Sequence, residues 1–121
     1  MNDPLAEKFI SEIEHEFSAA AKAAAEGNSG KVRVCARRAA GAAVRWYLTR
    51  RPDGQWGSDA VAQLQYLAKN ASFPVEIRDA ADRLTARISP EFQYPSMSDP
   101  VADARTITQH FISLMSANAS D

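Results

Sequence analysis

The sequence of 121 residues contains few of the side chains that build metal sites or covalent catalytic sites. It has one cysteine, Cys35, and two histidines, His15 and His110. A single cysteine excludes an intramolecular disulfide and a cysteine-based zinc cluster, and it is typical of a protein from the reducing cytoplasm. Two histidines without an evident partner form no Ser/His/Asp or Cys/His arrangement for nucleophilic catalysis. We therefore expect neither a metal nor a cofactor.

Long apolar runs are also absent. No stretch approaches the roughly 18 consecutive apolar residues that a membrane span needs. The start at Met1–Pro4 lacks the basic and then apolar pattern of a secretory signal. We expect a cytoplasmic protein with no membrane association. The length suits one hydrophobic core, so we expect a single domain over residues 1–121 with a core of about 4–117.

Alanine dominates the apolar residues that are present, supplying 23 of 55. Helical periodicity recurs along the chain, and turn residues interrupt it. These patterns predict an all-α fold with no strand. Asp3, Ser29, Ser58 and Asp99 are the expected N-caps, and Gly27 is the expected end of the first helix. The five helices are predicted at residues 4–26, 30–51, 59–69, 74–88 and about 100–117.

The second predicted helix has the features of a central helix. Its small side chains would allow neighbouring helices to approach closely, and its bulk is concentrated at Trp46 and Tyr47. The expected inner face of the second helix consists of Val32, Cys35, Ala36, Ala39, Ala43, Trp46 and Tyr47.

The fourth helix should bury Val75, Ile77, Leu84 and Ile88. We expect the loop from Ser89 to Ser98 to pack against the bundle.

Charge is unevenly distributed although the net charge is only −1. Residues 1–26 carry six acids and two bases, and residues 52–121 carry nine acids and five bases. Residues 30–51 carry seven bases and no acid. The global balance argues against indiscriminate coating of nucleic acid, whereas the local excess suits a phosphate-bearing partner. The seven bases are Lys31, Arg33, Arg37, Arg38, Arg45, Arg50 and Arg51.

Lys31, Arg38 and Arg45 recur every seven residues and therefore form one stripe on the second helix. Two interpretations of this stripe stay open. It could bind phosphates of a nucleotide or RNA. Alternatively, an antiparallel first helix could neutralise it, an arrangement that the short connection favours. The carboxylates available for that purpose are Glu7, Glu12, Glu14 and Glu16.

Arg105 and His110 form an Arg-x4-His pair in the last helix. A histidine can act as general acid or base, and an arginine can hold a scissile phosphate, so the pair suits RNA cleavage. Five residues of a regular helix span 500°, which leaves the two side chains about 140° apart. One chain could not easily direct both at one phosphate, although a cleft shared by two protomers could.

Glu12 and His15 have the Glu-x-x-His spacing that projects two metal ligands from one helix. Carboxylate-bridged dimetal bundles need this motif twice together with two further glutamates. The sequence has no second copy. We therefore interpret these residues as part of a solvated acidic face.

The segment from Val34 to Leu48, VCARRAAGAAVRWYL, resembles the signature helix of the HEPN family. The preceding Ala-rich helix that ends in Glu26-Gly27-Asn28 is also similar. The resemblance covers most of residues 5–115. It implies an up-and-down five-helix bundle that usually forms a homodimer. Family members act as RNA-cleaving toxins, as nucleotide-associated partners of minimal nucleotidyltransferases, or as domains without demonstrated activity.

Active members of the family carry Arg-x4–6-His near the start of their last long helix, which corresponds here to Arg105 and His110. The residue after that arginine is commonly Asn, Asp or His in the ribonucleases, and here it is Thr106. This departure favours a non-catalytic domain. The leading hypothesis is a dimeric HEPN-like interaction module for nucleotide or RNA, with Lys31, Arg38 and Arg45 as phosphate ligands. The alternatives are a metal-independent endoribonuclease that uses Arg105 and His110, and a purely structural partner of another protein.

Overall fold

The computed structural model of the chain describes residues 3–50, 56–86 and 99–120, with side chains up to residue 115. Within these ranges the chain forms five helices and no strand, which confirms the all-α prediction. Among the described helices we find no candidate for a membrane span. The helices are α1 (Pro4–Ala25), α2 (Ser29–Thr49), α3 (Ala60–Ala68), α4 (Val75–Thr85) and α5 (Pro100–Ser120).

Helix α1 begins and ends where the sequence signals predict. The side chain of Asp3 accepts a hydrogen bond of 3.0 Å from the backbone N–H of Leu5. At the other end Gly27 has a φ of 73°, in the left-handed region. This conformation lets the N–H of Asn28 donate to the carbonyl of Ala23 at 2.9 Å. Such a bond closes the last turn of a helix and reverses the chain direction.

Helix α2 runs antiparallel to α1, because only residues 26–28 connect them and the two distant ends meet. Arg50, which follows α2, donates to Asp3, which precedes α1, at 2.8 Å. The expected N-cap Ser29 is wrong by one residue: the cap is Asn28, whose side chain accepts from the N–H of Lys31 at 3.0 Å. The predicted last residue, Arg51, lies outside the described ranges.

Helix α2 is the centre of the bundle, as its composition predicts. It contacts each of the other four helices. Eleven of the 25 buried hydrophobic residues in the described part of the chain are alanines, and five of these lie in α2. Small side chains let helix axes approach closely, so packing contacts replace part of the missing bulk. The buried residues of α2 also include Cys35 and Trp46.

Helices α3 and α4 form a second, shorter hairpin beside α2. Asp59 caps α3 by accepting from the N–H of Ala62 at 2.8 Å, so the expected cap Ser58 is wrong by one residue. Helix α4 begins at Val75, one residue after the predicted start, with Pro74 as its N-cap, and it ends at Thr85 and not at about Ile88 because Ala86 is extended. Val75, a predicted core residue, is 54% exposed because it lies about 200° around the helix from the buried Ile77, on the side of α4 that faces solvent. The predicted core residue Ile88 and the loop Ser89–Ser98 lie outside the described residues.

Helix α5 closes the bundle against α2 and α4. Asp99 caps it by accepting from the N–H of Val101 at 2.9 Å. One turn into α5, the buried carboxylate of Asp103 accepts from Arg83 of α4 at 2.8 and 3.1 Å. A two-point guanidinium–carboxylate contact fixes the relative position of two helices more tightly than a single hydrogen bond.

Aromatic rings fill the space between the two hairpins. The ring of Tyr47 in α2 lies 5.3 Å from that of Phe111 in α5 and 5.9 Å from that of Trp56. Phe73, from the turn between α3 and α4, lies 5.6 Å from Tyr47 in an edge-on arrangement. These edge-on and tilted contacts add to the stabilisation from burial. The cluster joins α2, the α3–α4 hairpin and α5 into one core.

Gly41 is required by the close approach of α3 to α2. A Cβ atom at this position would lie 2.8 Å from the Cβ of Ala60. We predict that Gly41→Ala lowers the free energy of unfolding, because an overpacking cost of about 1–3 kcal/mol outweighs a gain in helix propensity of up to ~1 kcal/mol. Urea unfolding followed by circular dichroism measures this change.

Gly30→Ala is the matched control in the same helix. A Cβ there would meet nothing closer than 3.8 Å. This variant should therefore be as stable as the wild type or slightly more stable. Equal stability of the two alanine variants would contradict the requirement for close packing at Gly41.

Candidate phosphate-binding site and the Arg105 and His110 pair

Lys31, Arg38 and Arg45 lie along one side of α2 and are here called the basic ridge. Successive members are seven residues apart, which corresponds to about 10.5 Å along the helix and nearly the same direction. Lys31 and Arg38 are exposed, and Arg45 is half-buried. The ridge therefore presents its charges to solvent at regular intervals.

Two of the three ridge cations have no counter-ion in the part of the chain that the structure describes. Glu12 of α1 accepts a hydrogen bond from the guanidinium of Arg45, as an antiparallel acidic helix predicts. Among the described residues, no carboxylate lies within 4.0 Å of Lys31 or Arg38. The expected neutralisation of the stripe by α1 thus occurs at Arg45 and stops there.

The surroundings of Lys31 and Arg38 favour an anion. The first turn of α2 contains no acidic side chain to offset the partial positive charge of the helix N-terminus. Val34, which is 39% exposed, lies three residues after Lys31 and four before Arg38, and so on the same side of the helix. This surface offers two cations and an aliphatic contact between them.

Two of the other cations of residues 30–50, Arg37 and Arg50, have structural partners. Arg37 donates from Nε to the carbonyl of Leu84 at the end of α4. Arg50 donates to Asp3, and its guanidinium lies 5.4 Å from the ring centre of Trp46. Arg33 is half-buried, and its buried Nε has no hydrogen-bond partner in the described part of the chain. The positive charge of α2 that is exposed and unpaired within residues 3–50, 56–86 and 99–115 is therefore concentrated on Lys31 and Arg38.

Arg105 and His110 face different neighbours. The guanidinium of Arg105 lies 4.4 Å from the ring centre of Phe17 in α1. The imidazole of His110 lies 5.8 Å from the ring of Phe73, in the turn between α3 and α4. One chain therefore directs the two side chains to opposite flanks of α5, in agreement with their 140° separation on a regular helix.

His110 forms the outer edge of the aromatic cluster. Its ring meets that of Phe73 at an interplanar angle of 70° and that of Phe111 at 84°. Desolvation by these neighbours lowers the pKa of His110 below its ordinary value of 6.5. The neutral imidazole is therefore the form that packs best at this position.

The described ranges contain no cluster of side chains that could hold a metal ion. No group of three or more His, Cys, Asp or Glu side chains comes together there. Cys35 is buried and carries a free thiol. His15 and Glu14 are exposed on α1. The two residues of the Glu-x-x-His spacing in α1 therefore have different surroundings, because Glu12 pairs with Arg45 while His15 is exposed to solvent.

Two features of the structure are not predicted by the sequence. One is the buried contact of Asp103 with Arg83. The signal for it is the spacing of one turn between Asp103 and the buried Ile107, which places both residues on the inner face of α5. An open groove of about 270 Å³ on α3 was also not predicted. It contains none of the predicted site residues and is lined by Trp56, Gly57, Ala62, Gln65, Tyr66 and Lys69.

Comparison of the chain with protein-family models, with curated proteins and with solved structures finds no match. The function has therefore to be inferred from the residues of the chain itself. Of the two sites predicted from the sequence, the basic ridge is assembled within one chain. The Arg105 and His110 pair is not.

The environment of His110 predicts a pH-dependent stability. A folded-state pKa below the unfolded-state value means that unfolding takes up a proton at mildly acidic pH. The neutral imidazole of His110 therefore contributes to the free energy of unfolding. That contribution is complete above pH 6.5 and decreases as the pH falls towards the folded-state pKa. We expect His110→Gln to reduce the pH dependence of the free energy of unfolding between about pH 5 and 7.

The same substitution at the exposed His15 is the control for the loss of one imidazole, and the difference between the two variants measures the contribution of His110. An NMR titration measures the pKa of His110 directly. A value at or above 6.5 for His110 would contradict the account of its surroundings.

Proposed function

We propose that this chain is a HEPN-like, non-catalytic binding domain that takes a phosphate-bearing partner, a nucleotide or RNA, on its basic ridge. The observation that carries the proposal is the exposure of Lys31 and Arg38 without a carboxylate partner among the described residues. Both lie in a stretch with seven bases and no acid. Cations at such a surface bind phosphates and release counter-ions as they do so.

The endoribonuclease alternative receives less support from the geometry. Arg105 packs its guanidinium on Phe17, whereas His110 packs against Phe73. A general acid or base and a phosphate-stabilising cation must reach the same scissile group. Cleavage would therefore need a second protomer to bring His110 of one chain to Arg105 of the other.

The HEPN resemblance and the alanine-rich core also lead us to propose a homodimer in a reducing compartment such as the cytoplasm. Alanine buries little apolar area, and buried area stabilises a fold by about 25 cal/mol per Å². A protomer interface would offset this small core. A minimal nucleotidyltransferase is a further partner that the resemblance suggests, and a purely structural partnership would need no phosphate at all.

Binding of a short fluorescein-labelled single-stranded RNA, followed by fluorescence anisotropy at low salt, tests the phosphate site. We expect Lys31→Ala and Arg38→Ala each to weaken binding, because each removes one phosphate contact. Each should also reduce the slope of log K against log salt by about 0.7. Adenosine and its 5′-phosphates as competitors distinguish a nucleotide site from an RNA site.

Lys69→Ala is the matched control, because it removes one positive charge from an exposed position at the C-cap of α3. If all three variants reduce the RNA affinity equally, the effect is one of general charge, and this would contradict binding at the basic ridge.

The RNA recovered from the assay should be intact. Shortened RNA produced by the wild type and not by His110→Ala would favour the endoribonuclease instead.

Light scattering coupled to size-exclusion chromatography at micromolar concentration tests the oligomeric state. We expect a mass of twice the 13.2 kDa of one chain. A homogeneous monomer would contradict the dimer and with it the shared cleft that the endoribonuclease requires.

A further inference from the structure

The ion pair between Glu12 and Arg45 lies at one end of the basic ridge. Oε1 of Glu12 accepts from Nη2 of Arg45, and the two side chains are 38% and 41% exposed. This pair is therefore neither buried in the core nor free in solvent. An anion that approaches Arg45 meets a carboxylate of the same chain already in place.

The guanidinium of Arg45 is directed back along the ridge. Its Nη1 lies 4.0 Å from the point where a Cβ of Gly41 would be, one turn nearer to Arg38. The contact with Glu12 uses a single nitrogen of the guanidinium. An arginine side chain carries five N–H donors, so donors of Arg45 are left for a second acceptor.

From this geometry we infer that Glu12 is a specificity-determining residue of the basic ridge. Its carboxylate neutralises Arg45 in the free protein, and a ligand that engages all three cations must share Arg45 with it or displace it. A phosphate group can present two oxygens to the guanidinium fork, whereas Glu12 contacts a single nitrogen of it, so a phosphate competes well with Glu12. A terminal phosphate also carries about −1.5 to −2 charge at pH 7, which is more than a carboxylate or a backbone phosphodiester carries. A ligand carboxylate gains no more from Arg45 than Glu12 already provides. The ridge thereby selects phosphates over acidic peptides.

This inference rests on the proposed phosphate site and can be tested separately from it. Glu12→Gln keeps the size of the side chain and removes its charge. We expect this variant to bind the labelled single-stranded RNA about twofold to fivefold more tightly at low salt, the range expected for an exposed ion pair. The gain should disappear in Glu12→Gln combined with Arg45→Ala.

Glu14→Gln is the matched control. Glu14 lies on the same helix, is exposed, and has no ion pair among the described residues, yet its substitution changes the net charge equally. It should raise RNA affinity less than Glu12→Gln does. Binding of a labelled poly-aspartate peptide supplies the second readout, and it should rise more in Glu12→Gln than RNA binding does. Circular dichroism and thermal unfolding establish that each variant is folded.

The outcomes separate the two proposals. Equal gains for Glu12→Gln and Glu14→Gln, or a gain that persists without Arg45, would overturn the role of Glu12. Unchanged RNA affinity in Glu12→Gln, alongside losses in Lys31→Ala and Arg38→Ala, would overturn it while the proposed function stands. Absence of saturable binding by the wild type and by Glu12→Gln would overturn both.

Discussion

The close packing of neighbouring helices around α2 is the constraint on which the rest of the structure depends. Alanine side chains and Gly41 keep the helix surface nearly flat, so α1, α3, α4 and α5 can all contact it. At Gly41 the space is too small even for a methyl group, because Ala60 occupies it. The central helix is consequently covered on most sides, and its cations have few directions left in which to reach solvent.

The distribution of charge follows from that packing. Arg37 and Arg50 are used to hold other elements in place, through Leu84 and Asp3 respectively. Arg45 lies where α1 passes and is met by Glu12. Lys31 and Arg38 lie nearer the start of α2 and reach solvent unpaired among the described residues. A stripe that looks uniform in sequence is thus divided into an occupied end and an open end.

The helices could be predicted because each repeats its apolar residues at helical spacing over several turns. The caps Asp3 and Asp99 could be predicted as well, but those of α2 and α3 could not, since Asn28 and Ser29, like Ser58 and Asp59, are adjacent residues that are both good caps. Backbone geometry decides between them. The prediction that Val75 belongs to the core is wrong because it follows from the apolar character of the side chain, whereas helical periodicity places Val75 about 200° from Ile77, outside the buried face of α4.

The candidate sites were predictable to different extents. Seven-residue spacing is sufficient to place Lys31, Arg38 and Arg45 on one side of α2, and 500° of rotation is sufficient to separate Arg105 from His110. The pairing of Glu12 with Arg45 depends on the rotation and axial position of α1 against α2. Both are tertiary properties. The sequence shows that α1 offers four acidic side chains, but it does not show which of them pairs with Arg45.

The most direct test of the central claim is chemical-shift mapping of the backbone amides during titration with single-stranded RNA. If the exposed cations of α2 form the binding surface, saturable shifts should concentrate between Lys31 and Arg45, and the amides of α3 and α4 should stay unchanged. Shifts centred on the groove of α3 or on the outer side of α5, or no saturable shifts at all, would contradict the account.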